Sequence, residues 1–202
     1  MKCVSLSVIL CGVFSVLACG GSGDMDAGVK NAPAFEGIYQ LVAASENTAG
    51  CDTAGESKLA QLRDHFFVIT AADILGQTFV VLDSCSSVSD CQAKRAAQKA
   101  KQSYSIEYTF MLGSSSNATT LTGFKATTGG GEGAQCERTY AEHVLTVAAD
   151  HSVHFESRTK LLADRPQNNG FCEVDTEKSK QEAASRECSR LETLDGSFVQ
   201  AD

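Results

Sequence analysis

The sequence predicts a mainly β domain: an antiparallel up-and-down barrel or sandwich of about eight strands, with two peripheral helices and disulfide cross-links. Most of the chain after residue 35 alternates apolar and polar residues with period 2, which is typical of half-buried strands. Two segments instead carry helical signals. Nine cysteines in 202 residues exceed the usual share, and an apolar content of 43% is enough for a folded core.

The first 18 residues are predicted to be a signal peptide. Lys2 is followed by an uncharged apolar run from Val4 to Leu17. That run of about 14 residues is shorter than the roughly 20 that a membrane-spanning helix needs. It ends in the motif Val16-Leu17-Ala18-Cys19-Gly20.

This motif resembles the lipobox of bacterial lipoproteins. The resemblance implies cleavage before Cys19, a diacylglycerol on its sulfur and an acyl chain such as palmitate on its amine. Because Gly20 is not an aspartate, the resemblance also implies sorting to the outer membrane. Cys11 is a competing candidate, but Leu10 is too large for the position before the cleavage site. The alternative is a plain secretory signal cut near Ala18, which leaves a free cysteine.

Residues 19–34 are predicted to be a lipidated flexible tether, and residues 35–202 a single β-rich domain. The segment from Gly20 to Gly28 is rich in glycine and has almost nothing to bury. The net charge of −8 argues against nucleic acid as a main partner, because phosphate binding needs a concentrated basic face. The expected partners are the membrane, through the N-terminal lipid, and an apolar small molecule or a protein.

Six cysteines follow the tether: Cys51, Cys85, Cys91, Cys136, Cys172 and Cys188. An even number in an exported chain predicts three disulfides. Cys85 and Cys91 bracket a helix start and can pair locally. A direct bond between Cys172 and Cys188 is disfavoured, because a helix of about 12 residues would hold their Cα atoms roughly 18 Å apart. We expect Cys85–Cys91, Cys136–Cys172 and Cys51–Cys188.

The predicted strands are Gly37–Ala44, His65–Ala71, Gln77–Asp83, Tyr104–Leu112, Ala118–Thr127, Glu137–Ala148 and Val153–Lys160, with a short last strand in Leu191–Leu194 or Phe198–Val199. Facing the apolar sets of one hairpin together pairs Val147 with Val153 and Leu145 with Phe155. The same register places Glu142 opposite Arg158 as a cross-strand ion pair.

Ser89–Gln102 and Thr176–Ser189 are the predicted helices, and Asp175 is expected to cap the second. The first has a stripe of alanines at helical spacing, Ala93, Ala96, Ala97 and Ala100, with the cations Lys94, Arg95, Lys99 and Lys101 outside it. Such cations usually form a solvated face, and contact with an anionic lipid or polysaccharide is the alternative.

The start of the first strand, Gly37-x-Tyr39, resembles the opening of lipocalin-like barrels. The whole layout of lipobox, glycine-rich tether, six cysteines and strand-rich body resembles uncharacterised exported lipoproteins of myxobacterial type. That second resemblance implies no activity.

Candidate ligand-lining residues are the strand aromatics Tyr104, Tyr108, Phe110 and Phe79, and the alternative is that they fill the core. No cofactor motif is present, and His151 and His154 are too few ligands to predict a metal site. We therefore expect a non-catalytic cell-envelope lipoprotein that binds a small apolar ligand or a partner protein.

The alternative hypothesis is an envelope hydrolase that uses His143 with a nearby carboxylate, Glu142 or Glu156. His143 lies on the apolar face of its predicted strand with Leu145 and Val147. That position favours an interior structural histidine.

Overall fold

A computed structural model describes residues 35–74, 77–100, 108–112, 116–130 and 135–201. The predicted signal peptide, the lipidation site Cys19 and the tether lie outside these ranges, as do Tyr104 and Lys101. No side chain is described for Tyr108.

Ten strands and two helices are present in the described ranges. The strands are β1 (Gly37–Asn47), β2 (Glu56–Ser57), β3 (Phe66–Ile74), β4 (Gln77–Cys85), β5 (Tyr108–Leu112), β6 (Thr120–Gly130), β7 (Gln135–Val147), β8 (Val153–Leu161), β9 (Arg165–Pro166) and β10 (Arg190–Gln200). The helices are α1 (Val88–Lys99) and α2 (Thr176–Ala183), and a short 3-10 helix spans Leu59–Gln61. Each predicted strand has a counterpart, and β10 covers both alternatives for the last one.

Eight of these strands close into an antiparallel barrel in the order β1-β3-β4-β5-β6-β7-β8-β10, and β10 pairs with β1 to complete it. Chain neighbours are therefore barrel neighbours, so the predicted up-and-down barrel is confirmed and the sandwich alternative is not adopted. The short strands β2 and β9 extend the sheet beside β1 and β7.

The predicted register of the β7–β8 hairpin is also confirmed. Val147 pairs with Val153, and Leu145 with Phe155. Glu142 does lie opposite Arg158, but the guanidinium instead contacts Glu156, two residues away on its own strand. The expected cross-strand ion pair is therefore replaced by one within β8.

The helix α1 packs on the outer face of β3 and β4 through a different face from the predicted alanine stripe. Its buried residues are Cys91, Arg95 and Gln98. Gln98 accepts a hydrogen bond from the Thr70 hydroxyl at 2.7 Å and donates one to Asp83 at 3.1 Å. These partners satisfy the buried amide, so a polar residue can take a core position.

Among the three cations that the structure describes, Arg95 departs from the predicted solvated basic face because it is buried, whereas Lys94 and Lys99 stay partly exposed while they contact carboxylates on the barrel side. Arg95 and Lys99 reach the Glu36 carboxylate at 3.2 and 3.7 Å, and Lys94 reaches Asp83 at 3.6 Å. These ion pairs hold α1 against the residues that begin β1 and end β4.

The disulfides are Cys51–Cys188, Cys85–Cys91 and Cys136–Cys172, the three pairings expected from the sequence. Disulfides form and persist in oxidising compartments, so the three bonds indicate an extracytoplasmic location. Within the described ranges, no helix has the length and apolar character that a membrane crossing needs.

The helix α2 is shorter than predicted, although Asp175 caps it by accepting a hydrogen bond from the Lys178 backbone amide at 3.0 Å. It packs over the outer face of β7, where Arg138 donates to Glu182 at 2.8 Å and to the Ser179 hydroxyl at 3.1 Å. The Glu182 carboxylate also accepts from the Ala163 amide at 2.7 Å, which fixes the segment after β8.

Candidate functional site

The barrel interior is the first place where a ligand could bind, and the described side chains fill it. Its core includes Tyr39, Val80, Phe110, Leu121, Leu145 and Phe155, each no more than 1% exposed. A cavity large enough for water would give its lining side chains accessible surface, so these residues pack against one another. An eight-stranded barrel is narrow enough for its own side chains to fill it.

Two glycines show how closely the interior is packed. A Cβ atom on Gly123 would lie 2.3 Å from Cδ2 of Phe110, and one on Gly196 would lie 2.4 Å from Cζ of Phe67. Both distances are far below the contact that a carbon atom tolerates, so aromatic rings occupy the space that side chains at these positions would take.

The candidate ligand-lining residues do not form one described surface. Phe110 pairs with Val80 and shares its inward face, whereas Phe79 pairs with Met111 on the opposite face of the wall. The expectation that Phe79 and Phe110 line one cavity is therefore wrong. The continuous apolar run in β4 is explained by burial on both faces, one against the core and the other under α1.

His143 lies inside the barrel, as the alternation along its strand predicts, and is 3% exposed. Its ring packs against both Phe110 and Phe155, at centroid distances of 5.0 and 5.5 Å. Among the described residues, neither ring nitrogen has a hydrogen-bond partner. His143 is thus an interior histidine whose ring nitrogens find no partner in the part of the chain that the structure describes.

Burial, and secondarily the positive charge of Lys125, lowers the pKa of His143 from 6.5 to about 3. The imidazole is therefore neutral at physiological pH. An unpaired buried polar group costs about 1–3 kcal/mol, so His143 carries a penalty that an apolar side chain would not.

The geometry gives the hydrolase hypothesis no acid–base pair. Glu142 precedes His143 on β7 and is exposed on the outer face. Glu156 likewise alternates with the buried Phe155 and contacts Arg158. Both carboxylates are separated from the imidazole by the barrel wall, and proton transfer requires hydrogen-bond reach.

A second site, which we call the outer groove, lies on the outside of the wall formed by β7, β8 and β10. Its volume is about 210 Å³. Its lining residues are Val42, Thr146, Ala148, Ser152, Val153, His154, Asp195, Gly196 and Ser197. The groove is therefore mixed, with hydroxyls and one imidazole–carboxylate pair beside small apolar side chains.

The imidazole–carboxylate pair is set by the register of the barrel. His154 on β8 lies directly opposite Asp195 on β10, and Nδ1 of His154 is 2.7 Å from Oδ1 of Asp195. The next outward positions along the two strands are Ser152 and Ser197, because the intervening Val153 and Gly196 are buried. Thr146 lies opposite His154 on the other side, on β7.

Sequence reasoning treated His151 and His154 together, but the structure gives them different partners. The His151 ring lies 5.6 Å from Phe198, while His154 bonds Asp195. The outer groove was missed because Asp195 is 41 residues from His154 and meets it only through the β8–β10 pairing. The usable signal was the alternation of polar residues at positions 152, 154, 195 and 197.

Comparison with known proteins adds no family assignment, since no family model, no curated protein and no solved structure matches the chain.

Proposed function

We propose that this chain is a non-catalytic cell-envelope lipoprotein, anchored by a lipid on Cys19 to the outer membrane, that recognises its ligand or partner at the outer surface of the barrel. The observation that supports the proposal is the packing of the described core, whose largest side chains are no more than 1% exposed, so the part of the interior that the structure describes offers a ligand no room. The outer groove is a described concavity on that surface.

Three further features support the proposal of a folded domain that is anchored to a membrane by an N-terminal lipid. The disulfides fit an exported protein. The lipobox-like motif precedes a glycine-rich segment that is long enough to hold a domain away from a membrane. Directly before β1, Phe35 is fully buried and Glu36 contacts α1, so both residues are held by the body of the barrel.

Lipid anchoring is tested by labelling the full chain with an alkyne fatty acid in a bacterium that processes lipoproteins. We expect label on the wild-type protein, retention of label in Cys11→Ser and loss of label in Cys19→Ser. Cys11→Ser is the matched control, since it removes a cysteine from the same leader. Label that persists in Cys19→Ser, or is absent from the wild type, refutes the lipoprotein.

Surface recognition is tested by offering the purified protein a fluorescent fatty acid as an interior ligand. We expect no saturable binding while the protein remains folded, because binding would require the core to open. Stoichiometric binding that is altered by Phe110→Leu would show that the ligand binds in the interior, and would overturn recognition at the surface.

A further inference from the structure

The outer groove has a chemistry that narrows the class of ligand it can bind. Its polar side chains are the hydroxyls of Thr146, Ser152 and Ser197 and the pair His154–Asp195. The Ser152 hydroxyl already donates to Oδ1 of Asp150 at 2.7 Å and the Thr146 hydroxyl to the His154 carbonyl at 3.5 Å, which leaves the oxygens of both as acceptors. Hydroxyls both donate and accept, a carboxylate accepts, and an imidazole does either according to its tautomer. The groove therefore offers several hydrogen-bonding atoms of both kinds within one small volume.

The charges of the groove argue against an anionic ligand. Asp195 is its only carboxylate, and no lysine or arginine is among the described residues that line it. The whole chain also carries a net charge of −8. The Asp195 carboxylate would repel the negative charge of a phosphate or carboxylate ligand. Among the lining residues only the His154 imidazole could compensate for this repulsion, so binding of an anion is disfavoured.

The size of the groove sets an upper bound on the ligand. A volume of about 210 Å³ is smaller than the roughly 300–1,000 Å³ of pockets that enclose drug-sized molecules. Val42 borders it with a side chain that is 52% exposed, and Ala148 and Val153 add further apolar surface. A compact ligand with hydroxyls on its edge and carbon atoms on its face would match this combination.

We propose that the outer groove binds a neutral polyhydroxyl unit, of the size of one hexose, through Asp195, His154 and the hydroxyls beside them. This inference rests on the proposed function, since it names a ligand class for the surface that the proposal selects. Within the described part of the chain, Oδ2 of Asp195 and Nε2 of His154 have no protein partner, so both atoms can bond to a sugar hydroxyl.

The test compares glucose with glucuronate, which differ by one carboxylate. The full chain is purified in a detergent without a sugar headgroup, and binding is followed by saturation-transfer NMR. We expect glucose to bind with a dissociation constant on the order of 1 mM, as the size of the ligand allows. Glucuronate should bind about tenfold more weakly. A maltose series then distinguishes a free monosaccharide from a polymer end, because only the latter gains affinity with length.

Asp195→Asn should weaken glucose binding about tenfold, because it replaces a charged acceptor, and should bring the two sugars within about twofold of each other. Glu137→Gln is the matched control, since it removes the same charge from an exposed position on β7 outside the groove. The control should leave both affinities unchanged. No detectable glucose binding, equal binding of the two sugars by the wild type, or unchanged discrimination in Asp195→Asn overturns the inference.

The experiments distinguish an error in the proposed saccharide ligand from an error in the proposed lipid anchor. Intact fatty-acid labelling at Cys19 with no sugar binding rejects the saccharide and keeps the lipoprotein. Loss of labelling rejects the lipoprotein whatever the sugars do.

Discussion

His143 and His154 lie on neighbouring strands of one wall and face its opposite sides. His143 is buried against two phenylalanine rings, and among the described residues its nitrogens have no partner. The side chain of His154 is 43% exposed and lies 2.7 Å from Asp195. The same residue type is thus a neutral part of the core on one side and a hydrogen-bonding group open to solvent on the other. The inner face of this wall is therefore packed core, whereas its outer face carries side chains that can bond to a ligand.

The largest effect on stability is expected when the packing of the interior is disturbed. Gly123→Ala would place a Cβ 2.3 Å from the Phe110 ring and 2.4 Å from the Met111 carbonyl oxygen. The backbone oxygen cannot rotate away, so we expect a loss of about 3 kcal/mol or more in the free energy of unfolding. Urea denaturation measures it.

Gly129→Ala on the same strand is the matched control for this substitution. A Cβ there meets nothing within 4 Å, so its effect should stay within about 0.5 kcal/mol. Equal effects of the two substitutions would mean that the interior is not filled as described.

A smaller effect of opposite sign is expected from His143→Leu. Leucine has a similar volume and no polar atom, so the variant should gain about 1–2 kcal/mol at pH 7 by removing the unpaired nitrogens. The sugar affinity of the outer groove should not change. A destabilised variant would show that His143 has a partner in the native protein.

The variant His143→Leu also reveals how the buried imidazole makes the free energy of unfolding depend on pH. The pKa of His143 is lowered in the folded state. Below pH 6.5 the imidazole is therefore protonated in the unfolded chain and remains neutral in the folded protein. Stability should therefore fall with acid between pH 6.5 and about 3, by at most about 1.4 kcal/mol per pH unit. The gap between wild type and His143→Leu should widen across this window. A constant gap would contradict the buried neutral imidazole.

Sequence alone predicted the inner face of this wall well and the outer face poorly. The β7–β8 register followed from alternating apolar residues and a short turn, because slipping by one residue would expose Leu145. The buried face of α1 did not follow, since the partner that allows Arg95 to be buried is Glu36, 59 residues away. The Asp195–His154 pair has the same origin, because a contact between distant strands leaves no local pattern.

On the outer face, the surface under α2 is held by hydrogen bonds and ion pairs, whereas the outer groove is open to solvent. A substitution of Glu182 tests the contribution of the surface under α2 to stability. Hydrogen bonding from the Ala163 amide, and then from Arg138, lowers the pKa of Glu182. Its stabilisation is therefore present above its unfolded pKa of about 4.5 and lost as the pH falls below that value. Glu182→Gln should cost about 1 kcal/mol at pH 7, with solvent screening reducing the effect.

Urea denaturation between pH 7 and pH 3 separates Glu182 from His143. The deficit of Glu182→Gln should be constant between pH 7 and pH 5 and shrink as the pH falls further below 4.5, whereas the effect of His143→Leu already changes above pH 5. A deficit that does not shrink in acid would assign Glu182 a role in packing only.

The smallest effect on stability is expected in the outer groove. Asp195 and His154 are both more than 40% exposed, and exposed ion pairs contribute about 1 kcal/mol or less. Asp195→Asn keeps the shape of the side chain, so the midpoint of urea unfolding should shift less than in Glu182→Gln. A large loss of stability would make the pair part of the scaffold and remove the contrast between the two sides of the wall. A small loss combined with weaker sugar binding would show that the groove is built for a ligand, because its polar atoms contribute little to the fold.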